Sequence, residues 1–484
     1  DENGLVNYAE VIGGEEVTCG DFECAVPLDS WSTDTGWSIG SGLASCDGTQ
    51  TTFSYLTQSA LSISDKVYQI KFSVTRSAGT LRPQFVGGSS GVSSSDITSS
   101  GEYTIYMQPV DNVIIRFRAN SSFVGSITNI SVKEVTRDNV PRIDYTGGGC
   151  PHILAEPQRT NLVTYSEDFS QWNGNQVTIE PNAIISPDGT LNASRMTPTT
   201  TSSVHLISTS GSTTMAMSVY AKSNGYHRFR FNSGSSGNGY ASFDLNAGTV
   251  LNSGGTYYTS SSIDSVGNGW YRCTLVLTSG VSSFQNLAIE DNSGNVSFIG
   301  DGTSAIYIWG GQAEVGSYAT SYIPTSGSTV TRNQDIFTRD GIGSLINSTE
   351  GVLFVEFKRV EGNSATSAIS LNDGTSSNGV SMYFFGVSNF YVDVFSSSGI
   401  ITLNGGIVNT SDYIKVAFKY KNGDSAIWIN GIEVTTNSGA ISLVGLNQLL
   451  FAYINGTTPF FGKVKQLQVY DTSLSDTQLA ALTS

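Results

Sequence analysis

The chain carries few residues able to break bonds. It has three histidines, His152, His205 and His227, and no Gly-x-Ser-x-Gly elbow to present a serine nucleophile. Nucleophilic hydrolysis needs a Ser or Cys, a base and an orienting acid brought together. His205 lies in an alternating apolar stretch and His227 sits beside Arg228, which are structural and surface settings. Cys150-Pro151-His152 supplies two metal-ligand types, too few for a closed site alone. Glycoside hydrolysis needs two carboxylates roughly 5 to 9.5 Å apart in a cleft. Glu356 and Glu361 offer no such pairing in the sequence, being separated by Phe357, Lys358, Arg359 and Val360. The expectation is a protein that is not an enzyme.

Binding chemistry is better supplied. An aromatic face suits the C–H surface of a sugar ring, with planar polar side chains beside it. The candidates are Trp31 and Trp37, then Trp172, Tyr257 and Tyr258, then Tyr391, Trp428 and Tyr453. Trp270 and Trp309 alternate in phase with strand apolars and are expected inside. Hard oxygen ligands for calcium occur in Asp291-Asn292-Ser293-Gly294-Asn295 and Asn372-Asp373-Gly374. Asx residues also favour such turns through their own side-chain to backbone hydrogen bonds. Seven Asn-x-Ser/Thr sequons, at Asn120, Asn129, Asn192, Asn295, Asn347, Asn409 and Asn455, are what chance supplies in a chain this rich in Ser, Thr and Asn.

These candidates must be positioned by strands. Only 13% of the 484 residues are charged, against about 25% in ordinary soluble proteins, and 53 glycines separate short apolar runs. An aromatic content of 11% is too high for a disordered chain. The net charge of −16 argues against nucleic acid and anionic membranes as partners. No apolar run reaches the roughly 18 to 20 residues of a membrane helix. Five cysteines are no disulfide framework, though Cys19, Cys24 and Cys46 could hold one bridge.

Alternation marks Tyr68, Ile70, Phe72 and Val74, then Val113, Ile115 and Phe117 against Arg116 and Arg118, then Phe229 and Phe231 against Arg228 and Arg230. Ile414, Val416, Phe418 and Tyr420 follow, and Asn430-Gly431 between Ile427-Ile429 and Ile432-Val434 predicts a hairpin. Ser475 with Gln478 forms a capping-box pattern for one short terminal helix. Tyr68–Gly88 is echoed by Met215–Gly234, and Phe123-Val124-Gly125 by Phe298-Ile299-Gly300. Residues 1–135 and 161–335 are therefore expected to be two copies of one β-sandwich, the second longer by insertions. Thr136–Thr160, with three prolines and Gly147-Gly148-Gly149, has the composition of a linker or arm whose apolar residues need a surface to lie on. A third domain runs over 341–484, making an all-β chain of three tandem antiparallel sandwiches.

The third domain resembles the concanavalin A-like, laminin-G-type jelly roll, through Asp412–Tyr420, Ile427-Trp428-Ile429-Asn430-Gly431 and Leu467–Ser475. It lacks the Glu-x-Asp-x-Glu strand of glycanases with that fold. The middle region resembles the carbohydrate-binding-module-like sandwich of bacteriophage tail and fibre proteins. Its carriers are Asn161–Phe169, Ser186–Thr190, Gly267–Cys273 and Ala319–Thr325, preceded by Pro141–Tyr145 and Glu156–Asn161. The first domain resembles the same modules, with Gly20-Asp21-Phe22-Glu23 and Ser126–Val132. That resemblance implies a structural calcium held by Asp21 and Glu23, with Asn129 where such modules commonly carry Asp.

Together the resemblances imply a structural virion protein, a bacteriophage tail or head fibre or spike. It would stand as a homotrimer on the virion surface, contact other virion proteins and attach to host cell-surface polysaccharide. The alternatives are a secreted or cell-surface bacterial adhesin, and a polysaccharide depolymerase with acids in loops of the third domain.

Overall fold

A computed structural model describes residues 7–8, 11–59, 61, 66–87, 91–94, 96–109, 114–136, 141–145, 150–209, 214–233, 238–281, 285–359, 367–409 and 412–484. Val113, Gly147-Gly148-Gly149 and Glu361, named above, lie outside them. The architecture is all-β, built of antiparallel sheets, with Asp476–Thr483 the α-helix among the described residues. Ser475 and Gln478 close the expected capping box on that helix, each side chain accepting from the other's backbone N–H. No described helix is long and apolar enough to cross a membrane.

The chain divides into two compact units, Ala9–Val140 and a second formed by Asp1–Tyr8 with Pro141–Ser484. The first is a sandwich whose two sheets share one core containing Trp31, Leu56, Phe72, Phe85, Ile115, Phe117 and Val132. One sheet runs Trp37–Gly40, Leu43–Cys46, Val124–Thr136, Val67–Ala78, Gly101–Met107. The other runs Ser32–Thr33, Ser54–Gln58, Ile114–Ala119, Leu81–Val86, Val92–Ser93.

Residues 161–335 repeat these orders strand for strand. Val177–Ile185, Leu191–Pro198, Ala305–Glu314, Thr214–Asn224, Tyr271–Val281 match the first sheet. Asn173–Asn175, Ser203–Thr209, Gln285–Glu290, Arg228–Ser233, Tyr240–Asp244 match the second. The added strands Thr249–Gly254 and Tyr258–Ser265 are an insertion between corresponding elements. Phe229, Phe231, Leu275, Ile289 and Ile306 lie in this core.

A third core, with Val355, Phe357, Met382, Phe390, Val392 and Phe418, lies between two further sheets. One runs Thr338–Arg339, Gln448–Leu450, Ser367–Asn372, Gly379–Phe385, Asn389–Ser396, Gly399–Ile407. The other includes Gly462–Tyr470, Glu350–Arg359, Ile414–Lys421, Ser425–Ile429 and Ile432–Asn437. Asn430 and Gly431 both take positive φ, +49° and +84°, as a tight two-residue hairpin turn requires. The second and third cores belong to one compact unit rather than to separate bodies.

Within Thr136–Thr160, read from composition as a linker or arm, two described stretches are strands. Arg142–Asp144 and His152–Ala155 pair with each other, and the latter pairs with Gly462–Tyr470, extending the sheet of that strand. Ala155 enters the third core and Ile153 packs against it, so the apolar surface this segment needs is supplied by its own chain.

Candidate functional site

The strands around the third core place one set of residues inside it and the alternate set on the opposite face. Met382, Phe384, Phe390, Val392 and Val394 turn inward. Ser381, Tyr383, Tyr391, Asp393 and Phe395 therefore share the outer face. The register sets Tyr383 opposite Tyr391 and Ser381 opposite Asp393. The two tyrosine rings stack with centroids 5.6 Å apart and 25° between planes. Tyr453, from the segment after Gln448–Leu450, meets Tyr383 edge-on at 5.4 Å and Phe395 at 5.8 Å. That segment is pinned over the sheet by Ser370 Oγ donating to the Ala452 carbonyl at 2.7 Å and by Ile454 N–H donating to Ser381 Oγ at 3.2 Å.

Asp393 is buried beneath these rings. It accepts hydrogen bonds from the Tyr453 hydroxyl and from Thr402 Oγ1 at 2.6 Å. Burial, reinforced by the Asp393 carboxylate, pushes the Tyr383 and Tyr453 hydroxyls well above the usual phenol range, so both stay protonated as donors. The result is a half-buried set of three tyrosines held by their mutual ring contacts, with Tyr453 anchored on the buried Asp393 carboxylate. It offers flat C–H-binding surface with polar atoms at its edges, the composition a sugar ring requires.

Of the aromatic candidates, Tyr391 and Tyr453 fall in this set. Trp31, Trp37, Trp172 and Trp428 are a correction, because all are buried. Trp31 is 1% exposed, and its indole N–H lies 3.1 and 3.0 Å from the Thr18 and Cys19 carbonyls. Trp172 donates to the Tyr165 carbonyl at 2.9 Å. Trp428 packs under the terminal helix with Phe354 and Leu479. Tyr257 is exposed, and Tyr258 packs half-buried against the second core. Trp270 and Trp309 are inside, as their phase predicts. Sequence reading missed Tyr383 and Asp393. Alternation in Tyr391-Val392-Asp393 puts Asp393 on the face of Tyr391, whereas Tyr383 joins them only through strand register.

Of the metal candidates, Asp21 and Asn129 are brought to neighbouring positions by the Ile130 N–H donating to the Gly20 carbonyl at 2.8 Å. Asp21 Oδ1 accepts from the Glu23 N–H at 3.1 Å within its own turn, and both residues are exposed. Asn129 adopts φ +54° where Val124–Thr136 shifts register against Val67–Ala78. No group of three or more His, Cys, Asp or Glu able to hold a metal occurs among the described residues. Asp291 and Asp373 act as turn formers: Asp291 Oδ1 accepts from Ser293 N–H at 2.9 Å and Asn295 N–H at 2.7 Å, and Asp373 Oδ1 from Thr375 N–H at 2.9 Å. Cys19 and Cys24 form a disulfide, Cys46 and Cys273 are buried thiols, and Cys150 is exposed.

The histidines are dispersed. His152 Nδ1 lies 3.2 Å from the Tyr413 hydroxyl, and burial with Lys463 nearby lowers its pKa. His205 is buried between the Gln176 and Phe298 carbonyls. His227 lies 3.9 Å from Asp244.

The motifs Pro141–Tyr145 and Glu156–Asn161 build a joint. Arg142, 2% exposed, donates from Nη2 to Glu156 at 2.8 Å and from Nε to Asp335 Oδ1 at 3.0 Å. Glu156 also pairs with Arg332 at 3.0 Å and accepts from the Ser321 N–H at 3.1 Å. Burial alone would raise the Glu156 pKa, but Arg142 and Arg332 outweigh it and hold the carboxyl below its ordinary range. Asn161, fully buried, donates to the Gly311 and Ile323 carbonyls and accepts from Val163 and Ala313 N–H groups, which satisfies its amide.

No family model and no curated protein matches the chain. Solved structures with similar parts include the CBM40 module of the Ruminococcus gnavus IT-sialidase bound to α2,3-sialyllactose. It is 22% identical over 31% of this chain and 93% of that one, with a TM-score of 0.28. Domain 4 of the GH43 extracellular arabinanase AbnA from Geobacillus stearothermophilus, in complex with arabinotriose, is 16% identical over 33% of this chain and 84% of its own, with a TM-score of 0.25. The tandem CBM22 modules of Xyn10C from Paenibacillus barcinonensis are 12% identical over 64% of this chain and 99% of theirs, with a TM-score of 0.21. Low in both identity and TM-score, these likenesses assign neither ligand nor site to this chain.

Proposed function

We propose that the protein is a glycan-binding protein whose third domain receives a sugar on the Tyr383–Tyr391–Tyr453 face. The observation that carries this reading is the cluster of three tyrosine rings, stacked and edge-on to one another, with Tyr453 anchored on the buried Asp393. Ring faces fixed in advance lose little conformational freedom on binding, and the neighbouring hydroxyls give direction to the hydrogen bonds. The test is a glycan array followed by titration calorimetry on the best ligand. Tyr391→Ala should weaken it roughly tenfold, the range of a truncated aromatic anchor. An unchanged affinity in Tyr391→Ala and Tyr453→Phe would remove the site. The ligand should keep its length on incubation, as for a binding protein and not a depolymerase.

The fuller reading is a fibre or spike on the surface of a bacteriophage virion that attaches to host polysaccharide. Its support is the motif set Asn161–Phe169, Gly267–Cys273 and Ala319–Thr325. A homotrimer would multiply a weak contact through effective concentration. Light scattering after size exclusion should then give three times the 51.4 kDa chain, with and without a chelator if no calcium holds the assembly. A monomer would favour the secreted adhesin.

A further inference from the structure

The first sandwich bears an arginine-rich sheet face that the tyrosine site does not use. In Ile114–Ala119, Ile115 and Phe117 are buried in the core, so Arg116 and Arg118 stand on the outer face. Register places Arg118 between Tyr55 and Arg82, and Arg116 between Thr57 and Gln84. Arg116 lies 4.3 Å over the Tyr55 ring and Arg118 4.3 Å over Phe53. Gln84 Oε1 accepts from Arg116 Nε at 3.0 Å and thereby fixes the plane of the guanidinium. Asp96 pairs with Arg82 at 2.6 Å and reaches Arg118 only at 4.0 Å. Among the described residues no carboxylate pairs with Arg116, whose two terminal nitrogens have no hydrogen-bond partner there.

We infer that this face binds an acidic polysaccharide, one sugar carboxylate being held by the terminal nitrogens of Arg116. Three arginines against one aspartate make the face positive in a chain of net charge −16. A planar guanidinium locked by stacking and by Gln84 is built for two-pronged recognition of a carboxylate. Thr57 and Ser93 supply hydroxyls on the same face for sugar hydroxyl groups. A nucleic acid fits less well, because the net charge of −16 opposes a phosphate backbone and Arg116 already takes one face of Tyr55.

The test uses the whole chain and polygalacturonate, with dextran as neutral control and oligo-dT as competing anion, by affinity electrophoresis and calorimetry in moderate salt. Polygalacturonate should bind and dextran should not compete for this face. Arg116→Gln should weaken polygalacturonate at least tenfold, Arg116→Lys should weaken it less, and Tyr391→Ala should leave it unchanged. Failure of the wild-type chain to bind polygalacturonate, equal binding by Arg116→Gln, or oligo-dT binding as tight as polygalacturonate would each overturn the inference. A loss in Tyr391→Ala equal to that in Arg116→Gln would also overturn it, by assigning the acidic glycan to the tyrosine face.

Discussion

The two sandwiches share a strand order and differ in how they treat arginine on the same sheet. In the second, Arg230 donates from Nε to Glu290 at 2.9 Å and Arg228 lies 3.9 Å from Asp244. Glu290 is 2% exposed and also accepts from Ser242 Oγ at 2.7 Å. In the first, the equivalent sheet gives Arg116 a glutamine and an aromatic ring but no described acid. Both faces stack arginine on tyrosine, since Arg230 lies 4.7 Å over Tyr240. One face has its carboxylate built in, and the other leaves that place for a ligand. Shared topology thus fixes where arginines can stand, while the acid opposite decides whether they serve stability or binding.

The most severe way to break a built-in pairing is at the joint. Arg142→Ala leaves the buried Glu156 and the half-buried Asp335 without their shared partner, and is expected to destabilise the second unit by about 4 kcal/mol in denaturant unfolding, as for a broken buried pair. The same network sets a pH dependence. Glu156 has a folded-state pKa below its ordinary 4.5, so its contribution is complete above the unfolded value and is lost as pH falls through the folded one. Unfolding free energy should decline below about pH 4.5, and Glu156→Gln should flatten that decline. Glu290→Gln, at a less enclosed pair with Arg230 21% exposed, should cost about 2 kcal/mol and move the sandwich's melting temperature downward.

Much of this fold is legible in the sequence because strand signals are local. Alternation at Tyr68–Val74 and the Asn430-Gly431 turn each depend on a few neighbouring residues. The repeat is also legible, since corresponding strands keep their turn chemistry at Ser77-Ala78-Gly79 and Ser223-Asn224-Gly225. Burial of tryptophan is not. Trp31, Trp37 and Trp172 have serine, glycine, glutamine or asparagine beside them in sequence and apolar neighbours in space, which only the packing of two sheets reveals. The tyrosine site was half visible for the same reason, as Tyr383 meets Tyr391 across a register that no local pattern encodes. The apolar surface that takes up Ile153 lies some 310 residues away at Val464, a long-range pairing that composition cannot announce.

The smallest expected effect sharpens the comparison most. Arg116 is half-buried, has no described ion pair and stacks on a ring that is itself on the surface. Removing its charge should therefore change stability by no more than about 0.5 kcal/mol, the usual range for surface substitutions. A change on the equivalent sheet of the second sandwich, Arg230→Gln on the strand corresponding to Leu81–Val86, leaves Glu290 buried with Ser242 as its remaining side-chain donor and should be clearly destabilising. Paired urea titrations of the two variants test this difference. A near-neutral Arg116→Gln beside a costly Arg230→Gln would mean that the first face keeps its arginines for something other than folding. Equal costs would mean that Arg116 is a structural residue like Arg230, and would remove the physical distinction between the two faces.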